Sequence, residues 1–136
     1  MKQDRYLYRA KRKNWRELPK EMWWVQGYLY GIWERRYILW GMTNDVPDMI
    51  EVDPSTICQC TGLKDKNGNL IWENEIIKSI CGIAVVVWDK SEWRIKWVKD
   101  NIWRKDLHFW VNDENEYGVE VIGNIFDNPE LLEVGE

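Results

Sequence analysis

The chain has 136 residues, of which 45% are hydrophobic and 31% are charged. These values are ordinary for a globular protein of about one domain, and they exclude wholesale disorder, a collagen-like repeat and a coiled coil. Tryptophan is the exception, with 11 copies, and aromatic residues make up 14% of the chain. One small core does not need so many indole rings, so we expect some of them to be exposed for contact.

The formal charge of −4 is unevenly placed along the chain. Residues 1–40 carry ten Lys/Arg and four Asp/Glu, whereas residues 41–136 carry nine and nineteen. Two explanations stay open. Basic and acidic ends could complement each other within or between subunits, or the basic end could bind an anionic ligand.

The three cysteines are predicted to be free thiols. Cys58 and Cys60 are separated by one residue, which is poor geometry for a disulfide on a strand. Together with the distant Cys81 and the single His108 they match no zinc spacing, so we expect neither a metal nor a cofactor. The N-terminus has no apolar signal core and no apolar run is long enough to span a membrane, so we expect a cytoplasmic protein without a membrane partner.

The first part of the chain predicts antiparallel strands. Residues 5–11 alternate polar and apolar side chains, and residues 23–33 are rich in aromatic and β-branched residues. Gly27 and Gly31 within the second run suit a bulge or a close approach of backbones. Glu34-Arg35 predicts the turn into the next strand, and residues 44–48 have the composition of a loop. The remaining strands predicted here cover residues 36–40 and 49–52.

A tight hairpin turn is the strongest local signal, at residues 62–69. Asn67-Gly68 favours the positive φ values of such a turn. The side chain of Asp65 is expected to accept backbone N–H bonds as an Asx-turn. Gly62, Asp65, Asn67 and Gly68 are therefore the predicted structural turn residues.

The last part predicts three further strands and a short helix. The continuous apolar run 82–88 indicates a buried strand, and 93–98 places Trp93, Ile95 and Trp97 on one face. Pro129 stands at the first position of a short C-terminal helix with Asn128 as its N-cap. Residues 101–110 fit no single element. The other strand of this part is predicted at residues 119–126.

These elements predict a mostly β fold, a β-rich α+β class of short antiparallel strands with a short C-terminal helix. We expect one domain over residues 1–136. Its N-terminal aromatic and basic β part covers about 1–48, and its barrel-like part covers about 49–136. Short strands separated by turns in the C-terminal half favour a small SH3-like barrel.

Two long motifs resemble the YopX proteins of phages and prophages. Residues 52–68 resemble the family's "VDPETVGQYTGLKDKNG", and residues 120–132 resemble its "EVIGNIYDNPELL". Shorter likenesses at residues 8–12, 24–29, 70–77 and 104–110 extend the resemblance over nearly the whole chain. It implies a phage or prophage origin, hence the host bacterial cytoplasm, together with a β-rich fold and self-association. It implies no activity. Asn74-Glu75 departs from the family's Gly-Asp, which puts the role of that pair in doubt here.

No catalytic residue stands out. His108 is the only histidine and lies in an aromatic stretch, and no nucleophile motif or phosphate-binding glycine loop is present. Glu51, Asp53 and Asp65 are explained by turns and solvation. We therefore expect a protein that is not an enzyme.

Two clusters of aromatic and basic residues are the candidate ligand-binding sites. Rings beside cations suit a planar anionic ligand, because the ring stacks on the ligand and the cation meets its charge. Subunit interfaces are also enriched in Trp, Tyr and Arg, so that alternative stays open. The first cluster is Trp103, Arg104, Lys105 and Trp110. The second cluster is Tyr28, Trp33, Arg35 and Arg36. We expect it to form the opposite wall of the binding site, either in the same subunit or in a second one.

Three functions remain as hypotheses. The first is a non-enzymatic homo-oligomer that binds or sequesters an anionic ring-bearing small molecule, such as a cyclic nucleotide immune signal, in counter-defence. The second is a protein-binding module that modifies a host or phage complex. The third is a single-stranded nucleic-acid binder, which the negative net charge disfavours.

Overall fold

The computed structural model describes residues 6–111 and 118–133. Strands make up 53% of it, in two antiparallel sheets with one short helix, which confirms the mostly β prediction. The chain forms two compact units, Met1–Cys60 and Thr61–Glu136, which are described separately. The expectation of a single domain is untested and stays a prediction.

The first unit is an antiparallel sheet in the order β4-β3-β2-β1-β5. The chain between β1 and β2 makes two short 3-10 turns, Trp15–Glu17 and Lys20–Met22, and a third, Pro54–Thr56, precedes β5. The strand β5 begins in this unit and ends in the next. The strands are β1 (Tyr8–Lys11), β2 (Trp24–Ile32), β3 (Arg35–Thr43), β4 (Val46–Val52) and β5 (Cys58–Lys64).

One face of this sheet carries the core of the first unit. Its buried members are Ala10, Val25, Ile38 and Val52. Gly27 lies beside them, and a Cβ at this position would overlap the carbonyl oxygen of Leu39. Of the two alternatives predicted for the glycines of β2, the close backbone approach is present at Gly27, whereas a Cβ at Gly31 would first meet the side chain of Arg36.

Two turns of the first unit differ from the sequence prediction. The β2–β3 turn is Trp33-Glu34, because Arg35 already pairs with Ile32 in the ladder. The loop predicted at residues 44–48 shrinks to Asn44 and Asp45, both at positive φ. Asn and Asp tolerate this conformation, so two residues suffice for the hairpin and the rest joins β4 at the sheet edge.

The second unit is built on a four-stranded antiparallel sheet in the order β10-β7-β8-β9. Its helix α1 (Leu107–Val111) follows β9. The strands are β6 (Leu70–Trp72), β7 (Glu75–Ser79), β8 (Gly82–Asp89), β9 (Glu92–Trp97) and β10 (Glu120–Asn124). The buried core is Ile71, Ile77, Ala84, Val86, Ile95, Trp97, Leu107, Trp110 and Val119.

The described strands do not close into the SH3-like barrel expected for the C-terminal half. The segment after β9 supplies no full closing strand. It returns beside β9 for a single bridge, where the Ile95 N–H donates to the Lys105 carbonyl at 2.7 Å, and then turns into α1. The sheet of this unit therefore stays open.

The short C-terminal helix is a 3-10 helix, Pro129–Leu132, with Pro129 at its start. The side chain of Asn128 does not cap it. Instead, its Oδ1 accepts the backbone N–H of Asn124 at 3.2 Å. The asparagine thus closes the preceding turn rather than the helix.

Candidate functional site: an aromatic cavity

An apolar cavity of about 450 Å³ opens in the second unit. This volume falls within the range of pockets that hold small molecules. Of the first predicted cluster, Trp103, Arg104 and Trp110 line the cavity, and Lys105 does not. The full lining is Ile80, Cys81, Trp103, Arg104, Phe109 and Trp110.

Trp110 joins the cavity to the hydrophobic core. It lies on α1, is 2% exposed, and packs edge-on against Trp97 of β9 with ring centroids 5.5 Å apart. Its Nε1 donates to the carbonyl of Arg104 at 3.0 Å, which fixes the ring orientation. Because the core holds this ring, the inner wall of the cavity is formed before any ligand arrives.

The rim of the cavity is exposed and comes from two loops. Ile80 lies in the turn between β7 and β8, beside the half-buried thiol of Cys81. The backbone N–H of Cys81 donates to Ser79 Oγ at 3.0 Å, which shapes that turn. Across the cavity, Trp103 is 53% exposed, and its backbone N–H donates to Asn101 Oδ1 at 2.9 Å. Local hydrogen bonds therefore hold the backbone of both rim loops.

Arg104 brings a cation to the cavity, but that cation is already paired. Its Nε and Nη2 donate to the two carboxylate oxygens of Asp106, at 2.9 and 2.8 Å. The guanidinium lies 4.7 Å from the ring centroid of Phe109. Arginine has five N–H donors, so the bidentate pair leaves three for a ligand.

The second predicted cluster belongs to the first unit, and none of its residues lines this cavity. Three of its members gather at the β2–β3 turn, where Arg36 Nη1 donates to the carbonyls of Trp33 and Arg35, at 2.8 and 2.9 Å. Tyr28 is half-exposed farther along β2, opposite Leu39. The cluster is thus a hairpin end rather than a pocket wall.

At that hairpin end, one aromatic side chain is highly exposed and one arginine is firmly charged. Trp33 is 88% exposed and has a φ of 55°. A hydrogen bond to Tyr37, with Glu51 nearby, raises the pKa of Arg35 above its ordinary value. The arginine therefore keeps its charge at any physiological pH.

Sequence reasoning missed a lysine buried among tryptophans in the first unit. Lys11 is 1% exposed, and its Nζ lies 3.9 Å from the ring centroid of Trp15 and 4.2 Å from that of Trp23. Trp24 is a third neighbour, at 5.5 Å. Ammonium groups are attracted to the faces of indole rings. Because Lys11 falls on the polar face of an alternating strand, nothing in the sequence signals its burial.

Asp53 fixes one ring of this tryptophan cluster. Its Oδ2 accepts the Nε1–H of Trp15 at 3.2 Å, and its Oδ1 accepts both the backbone N–H and the hydroxyl of Ser55. Burial raises the pKa of Asp53, but the bonds from Ser55 and Trp15 and the charge of Arg16 outweigh it, so the pKa is lowered. The carboxylate therefore stabilises the fold in its ionised form.

Within the described residues, no group of three or more His, Cys, Asp or Glu side chains could hold a metal ion. His108 is exposed on α1. None of the helices described is long and apolar enough to cross a membrane.

Comparison with known proteins supplies the family. The YopX protein model matches residues 8–133, almost from one end of the chain to the other. This chain belongs to the YopX family. No curated protein matches it. YopX membership points to a phage-type protein and names no activity.

Asn74-Glu75 departs from the YopX pattern but still forms a tight bend. Asn74 adopts a φ of 69°, a conformation that asparagine tolerates better than most residues. The carboxylate of Glu75 accepts the backbone N–H of Trp72 at 2.7 Å. The turn between β6 and β7 is therefore closed by these two residues without the glycine.

Proposed function

We propose that the cavity of the second unit binds a planar, ring-bearing small molecule with a negative charge, and that the protein holds this molecule without transforming it. The observation that supports the proposal is the convergence of three aromatic rings and one guanidinium on a single apolar cavity of about 450 Å³. The rings of Trp103 and Phe109 are partly exposed at the cavity. Arg104 offers its remaining N–H groups to the ligand's charge.

The expected affinity follows from these contacts. Stacking a base on an aromatic side chain is worth about 1–3 kcal/mol. A hydrogen bond to a charged group adds about 1.5–3 kcal/mol. The core fixes Trp110 and local bonds hold the backbone of the rim, so the ordering that opposes binding is confined to the exposed rim side chains. Two rings and one cation therefore support affinities between about millimolar and about micromolar.

YopX membership supports a phage-type protein, and the biological setting that follows is part of the proposal. A phage-type protein of this kind acts in the host bacterial cytoplasm, and sequestering a nucleotide signal of bacterial immunity would be counter-defence. Nucleotides carry both a planar base and an anionic phosphate, which are the two features that the cavity favours. We therefore propose a cyclic nucleotide as the first ligand to test.

A matched pair of tryptophan variants tests the proposal by calorimetric titration with adenosine, cyclic AMP and a neutral naphthalene compound. Trp103 and Trp40 are equally exposed, at 53% and 54%, but Trp40 lies on β3 in the other unit. Trp103→Ala should weaken binding about tenfold, and Trp40→Ala should leave it unchanged. Equal effects of the two variants, or flat titrations with every ring compound, would refute the proposal.

Cys81 gives the same test a second readout. It lines the cavity and is half-buried, whereas Cys58 and Cys60 are buried. A maleimide should therefore modify Cys81 first in the folded protein, and a ligand in the cavity should slow that reaction. Binding detected without any protection of Cys81 would place the ligand elsewhere.

A protein-binding role is the second candidate, and Trp33 favours it. A bulky residue at positive φ costs on the order of 1–3 kcal/mol, and this strain is typical of functional positions. Exposed tryptophans with neighbouring arginines are common interaction hot spots. We propose that this hairpin end contacts a second copy of the chain or a host or phage protein, with light scattering of the parent and of Trp33→Ala as the test.

A further inference from the structure

We infer that Asp106 determines which ligand charge the cavity accepts, and that the ligand class is a ring-bearing monoanion rather than a molecule with a doubly charged terminal phosphate. This inference rests on the proposed function of the cavity. It adds the chemical class of the anion and assigns a role to a residue that does not line the cavity itself.

Arg104, the one cation among the described residues that line the cavity, is paired with a fixed counter-charge. Both carboxylate oxygens of Asp106 accept from Arg104, at 2.9 and 2.8 Å, so the ion pair carries no net charge. The guanidinium also lies against the ring of Phe109, 4.7 Å from its centroid. A ligand therefore meets the outer N–H groups of an oriented ion pair, not an isolated cation.

An ion pair attracts an anion less strongly than an isolated cation does. The attraction grows in proportion to the ligand's charge, whereas the cost of removing that charge from water grows with its square. The hydrogen bonds left on Arg104 can offset the desolvation of one negative charge in an apolar cavity, but not that of two. The second unit adds repulsion, since Thr61–Glu136 has nine Lys/Arg and fifteen Asp/Glu, a net charge of −6.

Asp106→Asn isolates this effect because the asparagine keeps the size of the side chain and one acceptor oxygen. Asp106 has backbone contacts that do not involve its carboxylate. Its backbone forms an antiparallel β-bridge with Arg94, and its carbonyl oxygen accepts the backbone N–H of Phe109 at 3.2 Å. The variant should therefore keep the fold and the cavity while freeing the charge of Arg104. Asp89→Asn is the matched control, because Asp89 is an exposed acid at the end of β8.

The experiment titrates three naphthalene compounds by calorimetry at mildly alkaline pH. Naphthalenemethanol is uncharged, naphthaleneacetate carries one negative charge, and naphthyl phosphate carries two. The parent protein should bind the acetate at least about threefold more tightly than either of the other two. In Asp106→Asn the phosphate should gain about tenfold or more, while the methanol stays within about twofold.

The affinities of the variants decide whether the inference holds. The inference is wrong if Asp106→Asn leaves the order of the three affinities unchanged, or if Asp89→Asn produces the same gain for the phosphate. Naphthalenemethanol reports on the proposed function separately: if it binds and charge makes no difference, only the inference fails, and if no compound binds, the proposed function fails as well. Should Asp106→Asn not fold, Arg104→Gln replaces it, and this variant should erase the advantage of the acetate over the methanol.

Discussion

The carboxylate of Asp65 accepts the backbone N–H of Val121 at 3.0 Å, across 56 residues of the chain. The other oxygen of the same carboxylate accepts the N–H groups of Asn67 and Asn69, at 3.0 and 2.9 Å. Asp65 is only 6% exposed. One buried side chain therefore shapes the turn before β6 and attaches that turn to β10.

Removing this carboxylate should destabilise the protein more than removing any exposed acid. We expect Asp65→Ala to lower the free energy of unfolding by about 3 kcal/mol, because three backbone donors lose a charged acceptor. Asp65→Asn should cost less, since one acceptor oxygen remains. Urea unfolding measures both, with the exposed Asp89→Ala as the control. A loss from Asp65→Ala no larger than that of the control would contradict the assigned role.

The lysine among the tryptophans should be important for stability despite its charge. Lys11→Ala removes a fully buried side chain and its contacts with Trp15 and Trp23, and we expect a loss of about 2–4 kcal/mol. Lys13→Ala is the matched control, because Lys13 is 64% exposed and its ion pair with Glu51 lies at the surface. That control should cost less than about 1 kcal/mol. Thermal unfolding, monitored by tryptophan fluorescence, distinguishes the two variants. Equal losses of stability in Lys11→Ala and Lys13→Ala would refute the prediction.

Trp33 should be a residue whose replacement stabilises the fold. Glycine adopts a φ of 55° without the strain of a side chain, so Trp33→Gly should raise the free energy of unfolding by about 0.5–1 kcal/mol. Trp33→Ala removes the same exposed ring but keeps a Cβ at positive φ, and it should leave stability close to that of the parent. Urea unfolding of the three proteins tests this. A stabilised Trp33→Gly that no longer associates with a partner would show stability exchanged for binding.

Asp53 should make part of the stability depend on pH in the acid range. Its pKa in the folded protein lies below the ordinary value of 3.8, so its contribution is fully present above that value and is lost as the pH falls through the lowered pKa. The stability difference between the parent and Asp53→Asn should therefore be constant near neutrality and shrink below the ordinary value. Unfolding curves over that range measure it. A difference that widens toward acid pH would be the opposite of what we expect.

Elements with a strong local pattern could be predicted from the sequence. The alternation around Ile95 and Trp97 gives β9, whose buried face carries both residues. This prediction is confirmed because the alternation of apolar and polar side chains with a period of two is visible in the sequence and does not depend on a distant partner. The same holds for the Asx-turn of Asp65, whose side chain bonds to backbone only two and four residues away.

The structure of residues 101–110 could not be predicted because it depends on distant partners. Its backbone is held by Ile95 of β9, and Trp110 becomes a core residue only where the ring of Trp97 faces it. The chemistry of the residues groups Trp103, Arg104 and Trp110, which line one cavity, but it also adds Lys105, which does not line it. The role of Asp106 is not indicated by the local pattern, although this residue pairs with Arg104 only two positions away, because the pattern does not show that the pair lies beside a cavity.

The indole pair at the end of the β8–β9 hairpin gives the protein an optical property of its own. Trp88 and Trp93 face each other across the ladder with ring centroids 5.0 Å apart and planes at 70°. Transition dipoles held so close and at such an angle couple as excitons, and they should produce a circular-dichroism couplet on top of the strand spectrum. A Trp93→Phe variant would remove that couplet alone. Because the other close indole pairs, Trp15–Trp23 and Trp97–Trp110, remain in this variant, the difference between the two spectra follows the opening of this one hairpin.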